Sequence, residues 1–166
     1  AASDVYKRQV KDFANLKGDE IVYDLYSGLG TISQFIAKKA KKVIGIESIL
    51  EAVLSARESA ILNKINNVEF VTGDMKNIFT SNFISEYGDP DVIITDPPRD
   101  GMHKDVIKEI LKLETRIIVY VSCNPSTQCR DLVLLREKYD LKKVQPIDMF
   151  PHTDHVENVV LLEYKN

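Results

Sequence analysis

Cys123 stands in a setting that suits nucleophilic chemistry. It lies in the segment SCNP at residues 122–125, between an apolar run that predicts a strand and a pattern that predicts a helix. The N-terminus of a helix favours an anion, so a thiolate at this place is stabilised. A lone cysteine is more often a buried small hydrophobic residue, but Cys123 lies at the same predicted sheet edge as the motifs described below. The sequence therefore predicts Cys123 as a nucleophile, whereas Cys129 lies inside the helix and is predicted to pack.

A glycine-containing turn follows the first predicted strand. Residues 24–31 read DLYSGLGT, in which Gly28 and Gly30 let the backbone turn tightly and approach a ligand where a Cβ would clash. NAD-binding proteins share such a turn, but their fingerprint needs a third glycine where this chain has Ser33. Asp24, before the turn, would repel a pyrophosphate but can hold an ammonium group. The turn therefore favours S-adenosylmethionine, which carries an ammonium and a sulfonium and no phosphate.

Three further carboxylates end or follow predicted strands. Glu47 ends the second strand about 20 residues past the turn, where an acid accepts hydrogen bonds from ribose hydroxyls. Asp74 follows the third strand, where such folds bind the adenine amine. Asp96 follows the fourth strand in the segment DPPR, whose prolines stiffen the loop. Arg99 ends that segment where amine methyltransferases carry an aromatic residue, which argues against amine methylation. Ligands of open α/β sheets bind along this edge, so the set predicts one cofactor site.

The elements that must position these residues alternate along the chain. Strands are predicted at residues 21–26, 43–47, 68–72, 92–95 and 117–122, and helices at residues 31–39, 50–63, 76–85, 103–113 and 126–138. Nearly continuous apolar strands joined by helices predict a parallel sheet with right-handed crossovers. Two last strands, at residues 141–149 and 156–163, are joined without a helix, which predicts an antiparallel pair. The fold class predicted is α/β, the Rossmann-like class I S-adenosylmethionine-dependent methyltransferase fold, with a mostly parallel seven-stranded sheet ending in an antiparallel hairpin.

The overall composition limits the classes of protein to which the chain can belong. Its 166 residues suit one domain with a single core, and its net charge of -3 gives no strong field for nucleic acid. Two cysteines exclude a disulfide framework or a four-thiolate metal site and fit a reducing compartment. No apolar run approaches the roughly 20 residues of a membrane span, and no signal peptide is recognisable. We expect a soluble cytoplasmic protein.

These segments together resemble the RNA 5-methyluridine methyltransferase family, and most of all its 23S rRNA (uracil-5-)-methyltransferase branch. The matching segments are DLYSGLGT, DPPR, VSCNP and, at residues 150–157, FPHTDHVE, and they occur in this order. The SCNP and FPHT segments are the most specific parts of the resemblance. The resemblance implies Cys123 as the nucleophile and Glu157 as the base. It also implies that S-adenosylmethionine contacts Tyr26, Thr31, Glu47, Asp74 and Asp96.

The predicted residues supply what a uracil C5 atom needs, because C5 is a poor carbon nucleophile. A thiolate that adds to C6 turns the ring into an enolate, whose C5 can attack a sulfonium methyl group. Glu157 would then remove the C5 proton so that the thiol is eliminated, and Arg99 and Asn124 would hold the pyrimidine carbonyls. The target base must first leave its stack. The spacing of His152 and His155 suggests a metal site, but their loop context argues against it, and no metal is predicted.

Two features of the family have no counterpart in the segments of this chain that resemble it. Family members carry an N-terminal RNA-binding β-barrel and an upstream glutamine that touches the cofactor, and residues 1–10 match neither. We therefore expect residues 1–166 to be a single catalytic domain of a longer protein that methylates C5 of a uridine in RNA, with 23S rRNA preferred. A tRNA uridine-C5 methyltransferase remains an alternative. A catalytically silent module that binds RNA or the cofactor is another, although the pair Cys123 and Glu157 argues against it.

Overall fold

The computed structural model describes residues 2–149, 152 and 156–166, and within them seven strands form one mixed sheet. In chain order the strands are β1 (Ile21–Leu25), β2 (Lys42–Glu47), β3 (Val68–Thr72), β4 (Val92–Thr95), β5 (Ile117–Ser122), β6 (Tyr139–Asp148) and β7 (Val156–Tyr164). Their order across the sheet is β3-β2-β1-β4-β5-β7-β6. Strands β1 to β5 pair in parallel, and β7 runs antiparallel between β5 and β6. The predicted parallel sheet with an antiparallel hairpin is confirmed.

Helices cover both faces of this sheet. In the described part of the chain they are α1 (Ala2–Ala14), α2 (Thr31–Ala37), α3 (Leu50–Leu62), α4 (Ser81–Tyr87), α5 (Lys104–Leu113) and α6 (Pro125–Leu135). The sequence analysis predicted no helix before the first strand, so it missed α1. Val10, Phe13 and Ala14 of this helix are buried, and α1 packs against β4, β5 and β7. None of the helices described here has both the length and the apolar composition that crossing a membrane requires.

The core has two layers because successive residues of a strand point to opposite sides of the sheet. Val22 and Val92 lie in one cluster with apolar residues of α1 and α2. Tyr23 and Ile93, the next residues along the same two strands, lie in a second cluster with residues of α4, α5 and α6. Every residue of the central strands β4 and β5 is buried. This burial on both faces fixes the strand ends, where the predicted site residues lie.

The fourth helix starts later than the sequence predicted. We expected a helix at residues 76–85, whereas α4 begins at Ser81. Thr80 is its N-cap, because its hydroxyl accepts a hydrogen bond from the backbone N–H of Phe83 at 3.2 Å. The residues before it turn back on Asp74, whose carbonyl accepts hydrogen bonds from two backbone N–H groups further along the chain. The threonine cap sets the start of the helix, and the predicted start was wrong.

Candidate active site

The parallel arrangement brings the carboxyl ends of β1 to β5 to one edge of the sheet, and a predicted site residue lies at each end. In order from β1 to β5 these residues are Tyr26, Glu47, Asp74, Asp96 and Cys123. The glycine turn joins β1 to α2 at the same edge. Ligands of open parallel sheets bind at this edge, outside the ends of the strands. The fold therefore brings the predicted cofactor residues and the predicted nucleophile to one side of the molecule.

The turn between β1 and α2 has a left-handed backbone at three residues. Tyr26, Gly28 and Gly30 have φ angles of 59°, 53° and 73°. Glycine adopts this conformation at little cost, whereas a tyrosine is strained in it, and such strain clusters at ligand sites. A Cβ on Gly30 would lie 2.3 Å from Cζ of Phe70, but a Cβ on Gly28 would meet no atom of the described chain within 4 Å. Packing thus requires Gly30, and the space beside Gly28 is open.

Glu47 ties this turn to the end of β2. Its Oε2 accepts a hydrogen bond from the N–H of Gly28 at 3.0 Å, and its Oε1 accepts one from the N–H of Ile49 at 3.0 Å. The side chain is buried, and a buried carboxylate needs such donors. Oε1 also accepts a hydrogen bond from the hydroxyl of Ser48 at 3.2 Å, so it is Oε2 that has a second lone pair for a ligand hydroxyl. The sequence analysis missed the anchoring role of Glu47, and the ribose contact stays a prediction.

Asp24 is a buried carboxyl group with an unused acceptor. Its side chain is 1% exposed, and its Oδ2 accepts a hydrogen bond from the hydroxyl of Ser33. Its Oδ1 has no hydrogen-bond partner among the described residues. Burial, and to a smaller extent the charge of Glu47, raise the pKa of Asp24 to about 7, against the effect of the Ser33 hydrogen bonds. A buried acceptor without a donor fits a cationic ligand group such as an ammonium.

Asp96 lies among other carboxyl groups at the same edge. Burial, followed by the negative charges of Glu157 and Asp24, raises the pKa of Asp96 to about 7. Asp24 of β1 and Glu157 of β7 therefore lie close enough to Asp96, which follows β4, for their negative charges to repel its carboxylate. A cation bound between them would relieve this repulsion. The residues present fit the positively charged cofactor that the sequence predicts.

Cys123 and Glu157 flank the last residue pair of β5 and β7. The antiparallel register pairs Ser122 with Asn158. Cys123 directly follows Ser122, and Glu157 directly precedes Asn158. Both side chains are partly exposed, so a small ring can reach them. A thiol and a carboxyl group thus share one place at the edge of the sheet.

A pair of amide side chains holds this register. Gln128 donates a hydrogen bond from Nε2 to the carbonyl of Tyr120 at 3.0 Å. Asn158 donates from Nδ2 to Oε1 of Gln128 at 2.7 Å. Gln128 is buried, so these bonds are shielded from water. The sequence analysis missed both amides, because a polar residue on a helix normally faces solvent and nothing in the sequence marks its partner.

Asn124 and Arg99 are joined through the protein itself. Oδ1 of Asn124 accepts a hydrogen bond from the N–H of Ser126 at 3.1 Å and so caps α6. Nδ2 of Asn124 donates to the carbonyl of Arg99 at 3.1 Å. Both polar atoms of Asn124 are therefore engaged within the chain, while the Arg99 side chain is exposed. That either residue holds a pyrimidine carbonyl stays a prediction.

The remaining predicted residues lie at the rim of the site. Thr31 is the exposed first residue of α2. Asp74 is also exposed, and its Oδ1 accepts a hydrogen bond from the N–H of Lys76 at 3.0 Å. His155 lies outside the described residues, so its spacing from His152 is not tested. In the ranges that the structure describes, no group of three or more His, Cys, Asp or Glu side chains is arranged to hold a metal ion.

The sheet and the glycine turn define the fold of the class I S-adenosylmethionine-dependent methyltransferases. The sequence profile of the tRNA (Uracil-5-)-methyltransferase family matches residues 8–165. The chain belongs to this family, as the sequence segments predicted. S-adenosylmethionine is the cofactor of the family, and the predicted cofactor is confirmed.

Two curated relatives match nearly the whole chain. An uncharacterized RNA methyltransferase of Bacteroides thetaiotaomicron is 59% identical over 155 residues, which are 93% of this chain and 34% of that protein. A second, from Porphyromonas gingivalis, is 58% identical over 157 residues, with 93% of this chain and 34% of that protein covered. The chain thus spans about a third of the length of these relatives.

Solved structures share the fold. The tRNA (uracil-54, C5)-methyltransferase of Pyrococcus abyssi, in complex with S-adenosyl-L-homocysteine, has a TM-score of 0.81 and 34% sequence identity, and covers 95% of this chain and 37% of that one. The N-methyltransferase NodS of Bradyrhizobium japonicum, also with S-adenosyl-L-homocysteine, has a TM-score of 0.81 at 11% identity, with 99% and 88% covered. At that identity the second likeness concerns the fold alone.

Proposed function

We propose that residues 1–166 form the catalytic domain of an RNA (uracil-5-)-methyltransferase. The observation that carries this proposal is that Cys123 and Glu157 are the chain neighbours of the last β5–β7 pair, Ser122 with Asn158, at the same edge as the glycine turn. Methylation at C5 of a pyrimidine needs a thiol that adds to the ring and a base that removes a proton. Membership of the tRNA (Uracil-5-)-methyltransferase family supports the same reaction.

The cofactor binds across the ends of β1 to β4 in this proposal. Asp24 holds the ammonium group, because its buried Oδ1 has no other donor among the described residues. Glu47 accepts hydrogen bonds from the ribose, and Asp74 accepts one from the adenine amine. The other residues proposed to line this site are Tyr26, Gly28, Gly30, Thr31 and Asp96.

The reaction begins when the Cys123 thiolate adds to C6 of uracil. A C6–S bond forms, and the electrons of the C5–C6 double bond move to O4, which becomes an enolate oxygen. Arg99 stabilises that negative charge. S-adenosylmethionine supplies a methyl group on a positively charged sulfur, to be taken by C5. Glu157 then removes the C5 proton, the double bond re-forms, and the electrons of the C6–S bond return to Cys123 as thiolate.

RNA is the proposed substrate, and two kinds of RNA are candidates. A uridine of 23S rRNA comes first, because the segment at residues 150–157 resembles that branch. A uridine of tRNA comes second and is supported by the likeness to the Pyrococcus abyssi tRNA (uracil-54, C5)-methyltransferase. Comparing kcat/KM for transcripts of 23S rRNA segments and of whole tRNA separates the two.

The test of the reaction is release of tritium from RNA labelled at C5 of uridine. Methylation at C5 must release that hydrogen, whereas methylation of a nitrogen or a ribose oxygen retains it. We expect one tritium released for each methyl group transferred. RNA labelled at C5 of cytidine is the matched control and should release none. Methyl transfer without tritium release would exclude the proposed reaction.

Glu47→Ala should weaken binding of S-adenosylmethionine by on the order of 1–3 kcal/mol, the cost of leaving buried hydrogen-bond groups unpaired. The variant loses the ribose acceptor and the anchor of the Gly28 N–H together. Isothermal titration calorimetry measures the change. Glu58→Ala, which removes an exposed carboxylate on α3, is the control and should bind like the parent. Parent-like affinity in Glu47→Ala would rule out the ribose assignment.

A further inference from the structure

One face of α6 holds the loop that follows the DPPR segment. The carbonyl of Arg99 accepts hydrogen bonds from Nδ2 of Asn124 at 3.1 Å and from the hydroxyl of Thr127 at 3.0 Å. The next carbonyl, that of Asp100, accepts one from Nη2 of Arg130 at 2.8 Å. Residues 124, 127 and 130 are three apart and so lie on one face of the helix. The loop is therefore bound along α6 from the helix cap onward.

A buried carboxyl group anchors the far end of this contact. Asp131 is 0% exposed. Its Oδ2 accepts hydrogen bonds from the N–H of Met102 at 2.8 Å and from the hydroxyl of Tyr120 at 2.6 Å. Its Oδ1 accepts two from Arg130, through Nε at 3.0 Å and Nη2 at 2.8 Å. Asp131 thus joins the loop, β5 and the Arg130 side chain in one network around a buried carboxylate.

The loop lies so close to α6 that one residue must be glycine. A Cβ on Gly101 would lie 2.7 Å from Nη2 of Arg130 and 2.7 Å from Oδ2 of Asp131. Gly101 also has a left-handed φ of 77° and donates its N–H to the carbonyl of Pro98 at 2.8 Å. The turn is closed on itself and pressed against the two charged side chains. This closeness fixes where the loop, and Arg99 at its start, lie relative to the helix.

We propose that Arg130 and Asp131 are positioning residues that hold Arg99 in place relative to Cys123. Helix α6 begins two residues after Cys123, so the helix carries the nucleophile at its start and the Arg99 loop along its side. Cys123 and Arg99, the two residues proposed to contact the uracil ring, are therefore held at a fixed separation. The Arg99 side chain is exposed, so its placement depends on the backbone that these bonds hold. This inference rests on the proposed uracil-C5 chemistry.

The test uses Arg130→Ala. The Arg130 side chain is 55% exposed, so its loss leaves no cavity in the core, but it also removes the two donors to Oδ1 of the buried Asp131. The variant loses the donors to the carbonyls of Asp100 and Met102. We expect kcat to fall about 10- to 100-fold, the cost of a misplaced group, with KM for RNA and affinity for S-adenosylmethionine changed less than about threefold. Arg136→Ala, which removes another exposed arginine at the end of the same helix, should behave like the parent.

A double-mutant cycle separates positioning from a general loss of structure. If Arg130 acts through Arg99, adding Arg130→Ala to Arg99→Ala should lower kcat by less than about twofold more. Independent, multiplied losses would overturn the inference, as would parent-like kcat in Arg130→Ala. If the parent itself has no methyltransferase activity, that result would count against the proposed function and not against this inference.

Hydrogen exchange tests the same inference without any reaction. The N–H groups of Gly101 and Met102 are hydrogen-bonded in the parent. In Arg130→Ala a peptide that covers residues 99–102 should exchange at least about tenfold faster, because these bonds open more often. Peptides from β1 and β2 should exchange as in the parent. Unchanged exchange at residues 99–102 would show that Arg130 does not hold the loop.

Discussion

Replacing Cys123 with alanine should abolish methyl transfer and tritium release, and should leave the affinity for S-adenosylmethionine within about twofold of the parent. The thiolate provides the electrons that make C5 nucleophilic, and no other described side chain at this edge carries a thiol, because Cys129 lies on α6 beyond its first turn. Tritium release and calorimetry on the same preparation measure the two effects. Cys129→Ala is the matched control and should keep its activity. Methylation by Cys123→Ala would exclude the covalent mechanism, and most of the case for uridine C5.

Glu157→Gln should stop the same reaction one step later. Glutamine has nearly the size of glutamate but cannot take up the C5 proton, so the ring keeps both the methyl group and its bond to Cys123. We expect about one equivalent of a covalent protein–RNA adduct that survives denaturation, visible as a shifted band or by mass spectrometry. Adding Cys123→Ala should abolish the adduct. Glu163→Gln, further along β7, should turn over without an adduct.

The assignment of Glu157 as the base can be wrong even if the assignment of Cys123 as the nucleophile is right. Rapid turnover by Glu157→Gln with no adduct would place the base elsewhere, with Asp154 the next candidate. A total loss of methyl transfer in Glu157→Gln would instead give Glu157 a role before proton removal. Its charge already raises the pKa of Asp96, so its removal changes that neighbour too. The adduct, rather than the rate alone, therefore decides the assignment.

The parallel part of the fold could be predicted because each strand carries its own signal. Strands β3, β4 and β5 have the predicted bounds, and β1 and β2 differ by one residue. Burial on both faces makes each strand a short apolar run, and no contact with a distant residue is needed to recognise it. Helix α1 also carries a signal, because Tyr6, Val10, Phe13 and Ala14 recur at helical spacing and pack into one cluster, and the sequence analysis overlooked it. The late start of α4 depends on Thr80, a cap whose effect is local but easily mistaken for one more helical residue.

The candidate site could be predicted only where a residue acts from a strand end. Glu47, Asp96 and Cys123 follow from the strands that precede them. The placement of Cys123 and Glu157 on either side of the same residue pair depends on the register of β5 with β7. Gln128 and Asn158 hold that register. Such contacts join residues about 30 positions apart, and a sequence does not mark them. For the same reason the spacing of residues 124, 127 and 130 indicates one helix face, but not the loop bound to it.

Replacing Asp24 with asparagine should remove the part of the parent's fall in stability with rising pH that Asp24 contributes. In the folded protein burial raises the pKa of Asp24 from 3.8 to about 7. The folded state therefore keeps a proton that the unfolded chain has lost between these values. Stability then falls as pH rises from about 4 to about 7 and is level above, by on the order of 4 kcal/mol for this group. Urea denaturation at several pH values measures the fall.

The comparison between parent and variant isolates Asp24 because every other titrating group is present in both. Asp96, whose pKa is also raised to about 7, should keep part of the fall in Asp24→Asn. That part should be smaller than in the parent, because the charge of Asp24 is one cause of the raised pKa of Asp96. Asp19→Asn, which neutralises an exposed carboxylate, should retain the parent's slope.

Equal slopes in Asp24→Asn and the parent would show that Asp24 is already ionised in the folded protein. In that case the buried charge would need a partner that the described residues do not supply, and the place proposed for the cofactor's ammonium would have to be reassigned.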